Sequence, residues 1–227
     1  MRKYAVIVAG GSGTRMGGGM PKQFRPLCNR PVLWWSMKAF HDEDPQTRLI
    51  LVLPREFITL WQDFYTSLPH EDHFAHEIAT GGASRTESVK NGLQLIEFEE
   101  DALVAVHDGA RPLVTASLIS KGWDTARKYN AAVPAVPVTD SLRCVESYPS
   151  VAVDRDKYVA VQTPQVFRVD LLKEAYRKAG DQTFSDDASA VENLGREVTL
   201  FEGEGSNIKI TNPKDMAVAE TLLSDKR

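Results

Sequence analysis

The run from Tyr4 to Ala9, YAVIVA, has no polar position and then stops at two glycines. A strand that faces water on one side alternates in polarity. An unbroken apolar run of this length belongs to a strand covered on both faces. That requirement calls for layers above and below a sheet, and the rest of the chain supplies them.

Pro31 opens PVLWWSMKAFH, where Val32, Trp35 and Ala39 with Leu33, Met37 and Phe40 form a broad apolar helical face. RLILVL (48–53) reads as a second buried strand ended by Pro54, followed by a helix over about 55–67 and a short strand near 76–80. Ser84 and Glu87 have the spacing of a capping box, with Val89, Leu93 and Ile96 on one face behind it. ALVAVHD (102–108) is the fourth strand, 115–129 a helix, and AAVPAVPVT (131–139) the fifth strand. After an irregular stretch, DLLKEAYRKAG ends as a helix at Gly180. EVTLFEG is a late strand, and NPKDMAVAETLL closes the pattern as a helix capped by Asn212 with Pro213 first.

Alternation of this kind predicts an α/β protein: a Rossmann-like three-layer fold with a mostly parallel sheet. No repeat or low-complexity linker divides the 227 residues, so one domain over 1–227 is expected. Segment 139–163 departs from the rhythm. SLRCVE, a SYPS turn and VAVDR alternate like a hairpin. A lone hairpin is marginal in water, so it lies either on its own domain or on a second copy of the chain. It is expected to protrude as a β-hairpin arm.

A net charge of −4 argues against a general nucleic-acid surface, so an anionic ligand must be met by locally placed cations. No apolar run approaches the ~20 residues of a membrane span, and the amino terminus reads as a strand and not a signal peptide. Cys28 and Cys144 form no disulfide framework or metal spacing, which suits a reducing cytoplasm. His70, His73 and His76 recur in PHEDHFAH without a known zinc spacing and read as a solvated loop around Pro69.

In open α/β sheets ligands sit beyond the carboxyl ends of the strands, which is where AGGSGTRMGGGMPKQF (9–24) falls. The dinucleotide fingerprint fails here, because Gly11-Ser12-Gly13 is followed by Thr14, Arg15 and Met16. The phosphate loop fails too, since no glycine precedes Lys22 and Gln23 follows it. What distinguishes the loop is its cations. Arg15 and Lys22 stand seven apart, Pro21 stiffens the approach to the lysine, and a folded-back loop brings both onto one polyphosphate.

The motifs AGGSGTRMGGGMPKQF, GGASRTESV, VHDGARP, TPQVF, DDASAVE and NIKIT occur in the order found in cytidylyltransferases. From residue 4 to about 223 the sequence resembles the 2-C-methyl-D-erythritol 4-phosphate cytidylyltransferases. VDRDKYVAVQTPQ with NIKIT is its most specific part.

The resemblance implies transfer of CMP from CTP to methylerythritol 4-phosphate, with pyrophosphate released. It implies a divalent cation, Mg²⁺ or another, held mainly by the CTP phosphates. No side-chain ligand is assigned to it, and Asp108 is the one candidate. Arg15, Lys22 and Lys209 match the catalytic cations. Ala9, Gly10, Gly11 and Gly82 match the backbone around the nucleotide, with Ser88 contributing its side chain. Asp108 matches a residue near the ribose, the metal and the acceptor, and Arg111 beside it matches an acceptor-binding position. Ser141, Arg155 and Thr163 match acceptor-binding positions. Arg155 is expected to reach the site of a second subunit, through a homodimer built on the 139–163 arm. Two departures stand out: Ala83 replaces an acidic residue of some relatives, and Ser141 replaces a threonine.

Two alternatives stay open. One is a ribitol-5-phosphate cytidylyltransferase with the same loop and chemistry. The other is a non-catalytic nucleotide-binding regulator, against which the joint presence of Arg15, Lys22, Asp108, Arg155 and Lys209 argues.

Overall fold

The structure, a computed structural model, describes residues 1–10, 20–97, 101–146 and 149–224. Its elements begin with β1 (Lys3–Val8), β2 (Pro26–Leu27), β3 (Arg30–Pro31), α1 (Val32–Glu43), β4 (Arg48–Leu53), α2 (Ile58–Thr66) and β5 (His76–Thr80). Then come α3 (Arg85–Gln94), β6 (Leu103–Asp108), α4 (Ala116–Tyr129), β7 (Ala131–Pro137), β8 (Arg143–Cys144) and β9 (Val151–Ala152). The chain finishes with β10 (Val159–Val161), β11 (Gln165–Arg168), α5 (Val169–Ala179), α6 (Asp187–Asn193), β12 (Thr199–Glu202) and α7 (Pro213–Ser224).

One half of the main sheet is parallel, in the order β6-β1-β4-β5. The unbroken run of β1 is explained by what covers it. Ala5 and Ile7 point into a core shared with Leu33, Met37 and Phe40 of α1 and Leu118 and Trp123 of α4. Tyr4, Val6 and Val8 point into a second core with Val89 and Leu93 of α3, Leu172 of α5 and Val191 of α6. Each such side chain removed from water contributes about 1.5–3 kcal/mol, so both faces of the strand hold the layers together. The approach of α3 is close. A Cβ at Gly92 would stand 2.7 Å from Val6 Cγ1 and 2.9 Å from Val52 Cγ2, which is why the helix carries glycine there.

Beyond β6 the sheet becomes mixed. β11 runs antiparallel between β6 and β7, and β12 runs parallel to β7. Ala135 pairs with Val161 of β10 and with Glu202 of β12, so β10 and β11 lie end to end along one flank of β7. This corrects the expected arm boundary. The whole of 139–163 was read as a protruding hairpin, but Val159–Val161 belongs to the main sheet. The hairpin itself is the short β8–β9 pair, joining Arg143 to Ala152 and Cys144 to Val151. β11 and α6 were also missed, both within stretches where only motifs had been recognised.

Several local readings hold. Asn212 Oδ1 accepts from the Lys214 and Asp215 backbone amides at the start of α7, as its reading as a cap requires, and the structure adds a cap by Thr115 on α4. Gly180 takes a φ of 57° at the end of α5. His76 packs edge-on against Trp61 and accepts its indole N–H at 2.9 Å, so that histidine sits in an aromatic cluster and not in open solvent. Both cysteines are free thiols, and among the described residues no helix is long and apolar enough to cross a membrane.

Candidate active site

The carboxyl ends of β1 and β6 and the start of α3 enclose a cleft of about 280 Å³. Its described lining includes Ala9, Gly10, Lys22, Gly82, Ala83, Ser84, Arg85, Ser88, Asp108 and Lys209. Gly11 and Arg15, both expected here, lie outside the described residues.

Lys22 starts a single 3₁₀ turn, Lys22–Phe24, after Pro21. The next residue fixes that turn: the buried Gln23 amide donates to the Ala9 carbonyl at 2.8 Å, tying the turn to the end of β1. Lys22 Nζ donates to the Ile210 carbonyl at 2.7 Å, which joins the opening loop to the distant NIKIT segment. That segment is held along its length. The Ile210 amide donates to Ala110 O at 2.9 Å, and the buried Asn207 side chain donates to Thr163 O at 2.8 Å. The two lysines, remote in sequence, therefore line one cleft.

Opposite them stands the turn before α3. Ser84 Oγ accepts the Glu87 amide at 3.0 Å, the forward half of the capping box. The reverse half lands one residue early, with Glu87 Oε2 accepting from the Ala83 amide at 2.8 Å. A Cβ at Gly82 would lie 2.3 Å from Glu87 Cγ, so any side chain there would evict Glu87 from the box. Ser88 Oγ accepts from the Gly82 amide at 3.0 Å and donates to Ser84 O at 2.8 Å. Its hydroxyl thus shapes the turn. The departure at Ala83 leaves a backbone amide already in use by Glu87.

Asp108, at the tip of β6, is the one carboxylate among the described lining residues. Lys209 Nζ lies 2.8 Å from Oδ2, Arg111 Nε 3.7 Å from Oδ2 and Arg85 Nε 3.7 Å from Oδ1. Burial works against its charge, but Lys209, Arg85 and Arg111 outweigh it and hold the carboxyl at about 2. Arg111 also donates from Nη1 to Asn207 O at 2.7 Å. Asp108 is a poor cage for a metal on its own, and among the described residues no cluster of three metal-binding side chains exists. One carboxylate does fit a magnesium ion that takes most of its ligands from phosphates and water.

Three expected residues fall elsewhere. Thr163 was read as a hydroxyl contact to substrate, but it is buried. Its Oγ1 takes the Asp108 amide at 3.0 Å and bonds His107 Nδ1 at 3.1 Å, so it supports the site from beneath. His107 is fully buried, and that burial pushes its imidazole down to about 4. Arg155 lines a different hollow, with Pro137, Tyr158 and Leu200. Ser141 is exposed and absent from the cleft lining. Arg85 was missed by sequence reasoning altogether.

A mainly parallel sheet whose carboxyl edge gathers lysines and arginines around one aspartate, facing a glycine turn, is the framework of a nucleotidyltransferase. Residues 4–225 match the family of the 2-C-methyl-D-erythritol 4-phosphate cytidylyltransferases, IspD, and the chain belongs to that family. The family member of Bacteroides thetaiotaomicron is 46% identical over 225 residues, covering 98% of this chain and 100% of its own. That of Bacteroides fragilis is 45% identical over 98% of this chain. Among solved structures, the Thermus thermophilus enzyme aligns with a TM-score of 0.77 at 34% identity, covering 99% of this chain and 100% of its own. The Anaerococcus prevotii 4-diphosphocytidyl-2C-methyl-D-erythritol synthase aligns at 0.82 and 26% identity, covering 98% of both chains.

Proposed function

We propose that the chain transfers CMP from CTP to 2-C-methyl-D-erythritol 4-phosphate, giving 4-diphosphocytidyl-2-C-methyl-D-erythritol and pyrophosphate. The observation that carries this reading is the meeting of Lys22 and Lys209 over Asp108, opposite the capped Gly82–Ser84 turn.

A phosphate oxygen of the acceptor forms a bond to the α-phosphorus. The bond from that phosphorus to the bridging oxygen breaks, and pyrophosphate leaves with the electron pair. Little covalent work falls to the protein, which aligns the two anions and neutralises growing charge. Lys22, with Arg15, meets the charge on the triphosphate. Lys209 meets the α-phosphate and the incoming phosphate, whose mutual repulsion is the main obstacle to approach. Backbone at Ala9, Gly10 and Gly82 receives the base, and Asp108 the ribose side. Among the described residues Asp108 would hold a bound Mg²⁺, which would further neutralise the phosphate oxygens.

The acceptor end of the site is incomplete within one chain. Arg155 and Ser141 lie off the cleft, and the exposed Val145, Val151, Tyr158, Val159, Val161 and Leu200 gather on the arm and the nearby sheet edge. We assign this surface to a homodimer in which each arm brings Arg155 to the other subunit's cleft. The free thiols suit a reducing compartment, and we place the reaction in the cytoplasm.

The test is pyrophosphate release from CTP and Mg²⁺ with each polyol phosphate in turn. Methylerythritol 4-phosphate should give much the higher kcat/KM. Preference for ribitol 5-phosphate would transfer the chain to the sister activity, and no release with either would leave a nucleotide-binding regulator.

A further inference from the structure

Arg85 is the first residue of α3, directly after the capping Ser84, and its side chain lines the cleft. Its guanidinium bridges two carboxylates from distant parts of the chain. Nη2 donates to Asp187 Oδ2 at 2.6 Å, while Nε faces Asp108 Oδ1 at 3.7 Å. The Asp187 side chain is 0% exposed. Its second oxygen accepts from the Tyr176 hydroxyl at 2.6 Å. Its backbone amide and that of Ala188 both donate to Gln165 Oε1, at 3.0 and 2.9 Å. Groups from α5, α6 and β11 thus combine to hold one guanidinium still.

A buried ion pair contributes little to stability once its desolvation is counted, so stability alone is a weak reason for such an arrangement. The other partners of Asp108 suggest a better one. Lys209 is its nearest cation and also the most exposed of the three, at 42% against 24% for Arg85 and 12% for Arg111. Lys209 is also the cation assigned above to the incoming phosphate. When it turns to that phosphate, Asp108, only 13% exposed, loses its closest counter-charge. A carboxylate in such a place is costly to leave uncompensated. Arg85 already faces the opposite oxygen, and a planar fork can grip Asp187 and face Asp108 together where an ammonium cannot.

We propose that Arg85, clamped by Asp187 and Tyr176, is a positioning residue that keeps Asp108 in place and counter-charged, so that Lys209 is released to the acceptor phosphate. This rests on the reaction proposed above and deepens its account of Lys209.

The experiment is a double-mutant cycle on Arg85→Ala and Tyr176→Phe, read by kcat/KM for the acceptor, by calorimetric CTP binding without acceptor, and by Tm. Arg85→Ala should lower kcat/KM for the acceptor about thirtyfold while changing CTP binding by less than about threefold. Tyr176→Phe should cost about three- to fivefold, and nothing more in the Arg85→Ala background, because it acts through Arg85. Arg85→Lys should stay at least about tenfold down despite its charge, and it replaces Arg85→Ala in the cycle if the alanine variant does not fold. Multiplicative losses in the double variant would overturn the proposal. So would a lower Tm with kinetics per folded site within about twofold of wild type. A wild-type protein that releases no pyrophosphate overturns the reaction itself; an active wild type with indifferent variants overturns this inference alone.

Discussion

Asp108 meets three cations supplied by its own chain, whereas Arg155 on the arm is half exposed, reaching the Thr139 carbonyl and its neighbour Asp156. The cleft is backed by two hydrophobic cores and by buried polar bonds through Thr163, Gln23 and Asn207. The arm rests on one strand pair, two residues to a strand, and shows Val145 at 81% exposure. Preorganised electrostatics need a rigid setting, and the cleft has one. Arg155, proposed above to grip a phosphate, lacks that setting within one chain. The contrast teaches that the described charges of the cleft are self-sufficient within one chain, while the proposed role of Arg155 needs a second surface.

The largest effect should come from breaking the self-sufficient half. Lys22→Ala should lower kcat by about 10²–10³-fold with a much smaller change in CTP binding, because its charge matters most as the transition state forms. Single-turnover kinetics beside calorimetry separates the two. An unchanged kcat with only KM raised would reduce Lys22 to a binding group.

The rigidity of the cleft floor has a pH signature. The buried imidazole of His107 is held at about 4, below the ordinary 6.5, by burial first. The folded protein therefore refuses a proton that the unfolded chain accepts between these values. The resulting stability is complete above about 6.5 and is lost as pH falls toward 4, up to about 3 kcal/mol. Denaturant unfolding at pH 7, 5.5 and 4 should show this loss in wild type and not in a folded His107→Gln variant. Equal losses in both would place the acid sensitivity elsewhere.

Packing gives a smaller contrast. Gly92→Ala should cost about 1–3 kcal/mol by crowding Val6 and Val52, offset in part by about 1 kcal/mol of helix propensity. Val145→Ser on the arm should stay within about 0.5 kcal/mol for the single chain and act instead on self-association. Chemical denaturation with sedimentation velocity reads both. A large loss of monomer stability from Val145→Ser would mean the arm packs on its own domain.

The same contrast governs what the sequence made legible. Strands buried on both faces announce themselves as unbroken runs, so β1, β4 and β6 were readable, and with them the position of Asp108 at a carboxyl edge. The caps at Ser84 and Asn212 were readable because their logic is local. β10 and β11 were not. Val159–Val161 is exposed, while Gln162, Thr163 and Gln165 are polar yet buried, so the period that marks a strand is absent. α6 is only seven residues long, and the Asp186–Ser189 spacing was its one faint signal. Nothing local predicts that Arg85 pairs with Asp187, 102 positions away. Lys22 and Lys209 could be paired only through family resemblance, since their meeting depends on the fold bringing Ile210 to the opening loop.

The central claim, one cleft completed by a second chain's arm, is tested most directly by subunit mixing. Arg155→Ala and Lys22→Ala proteins should each be nearly inactive. Mixed in equal amounts and allowed to exchange, they should recover about a quarter of wild-type turnover, since half the dimers then hold one intact site and one doubly defective site. Exchange is followed by native mass spectrometry. A mixture that exchanges fully and stays as inactive as its parents would contradict the claim, because Arg155 would then serve the cleft of its own chain.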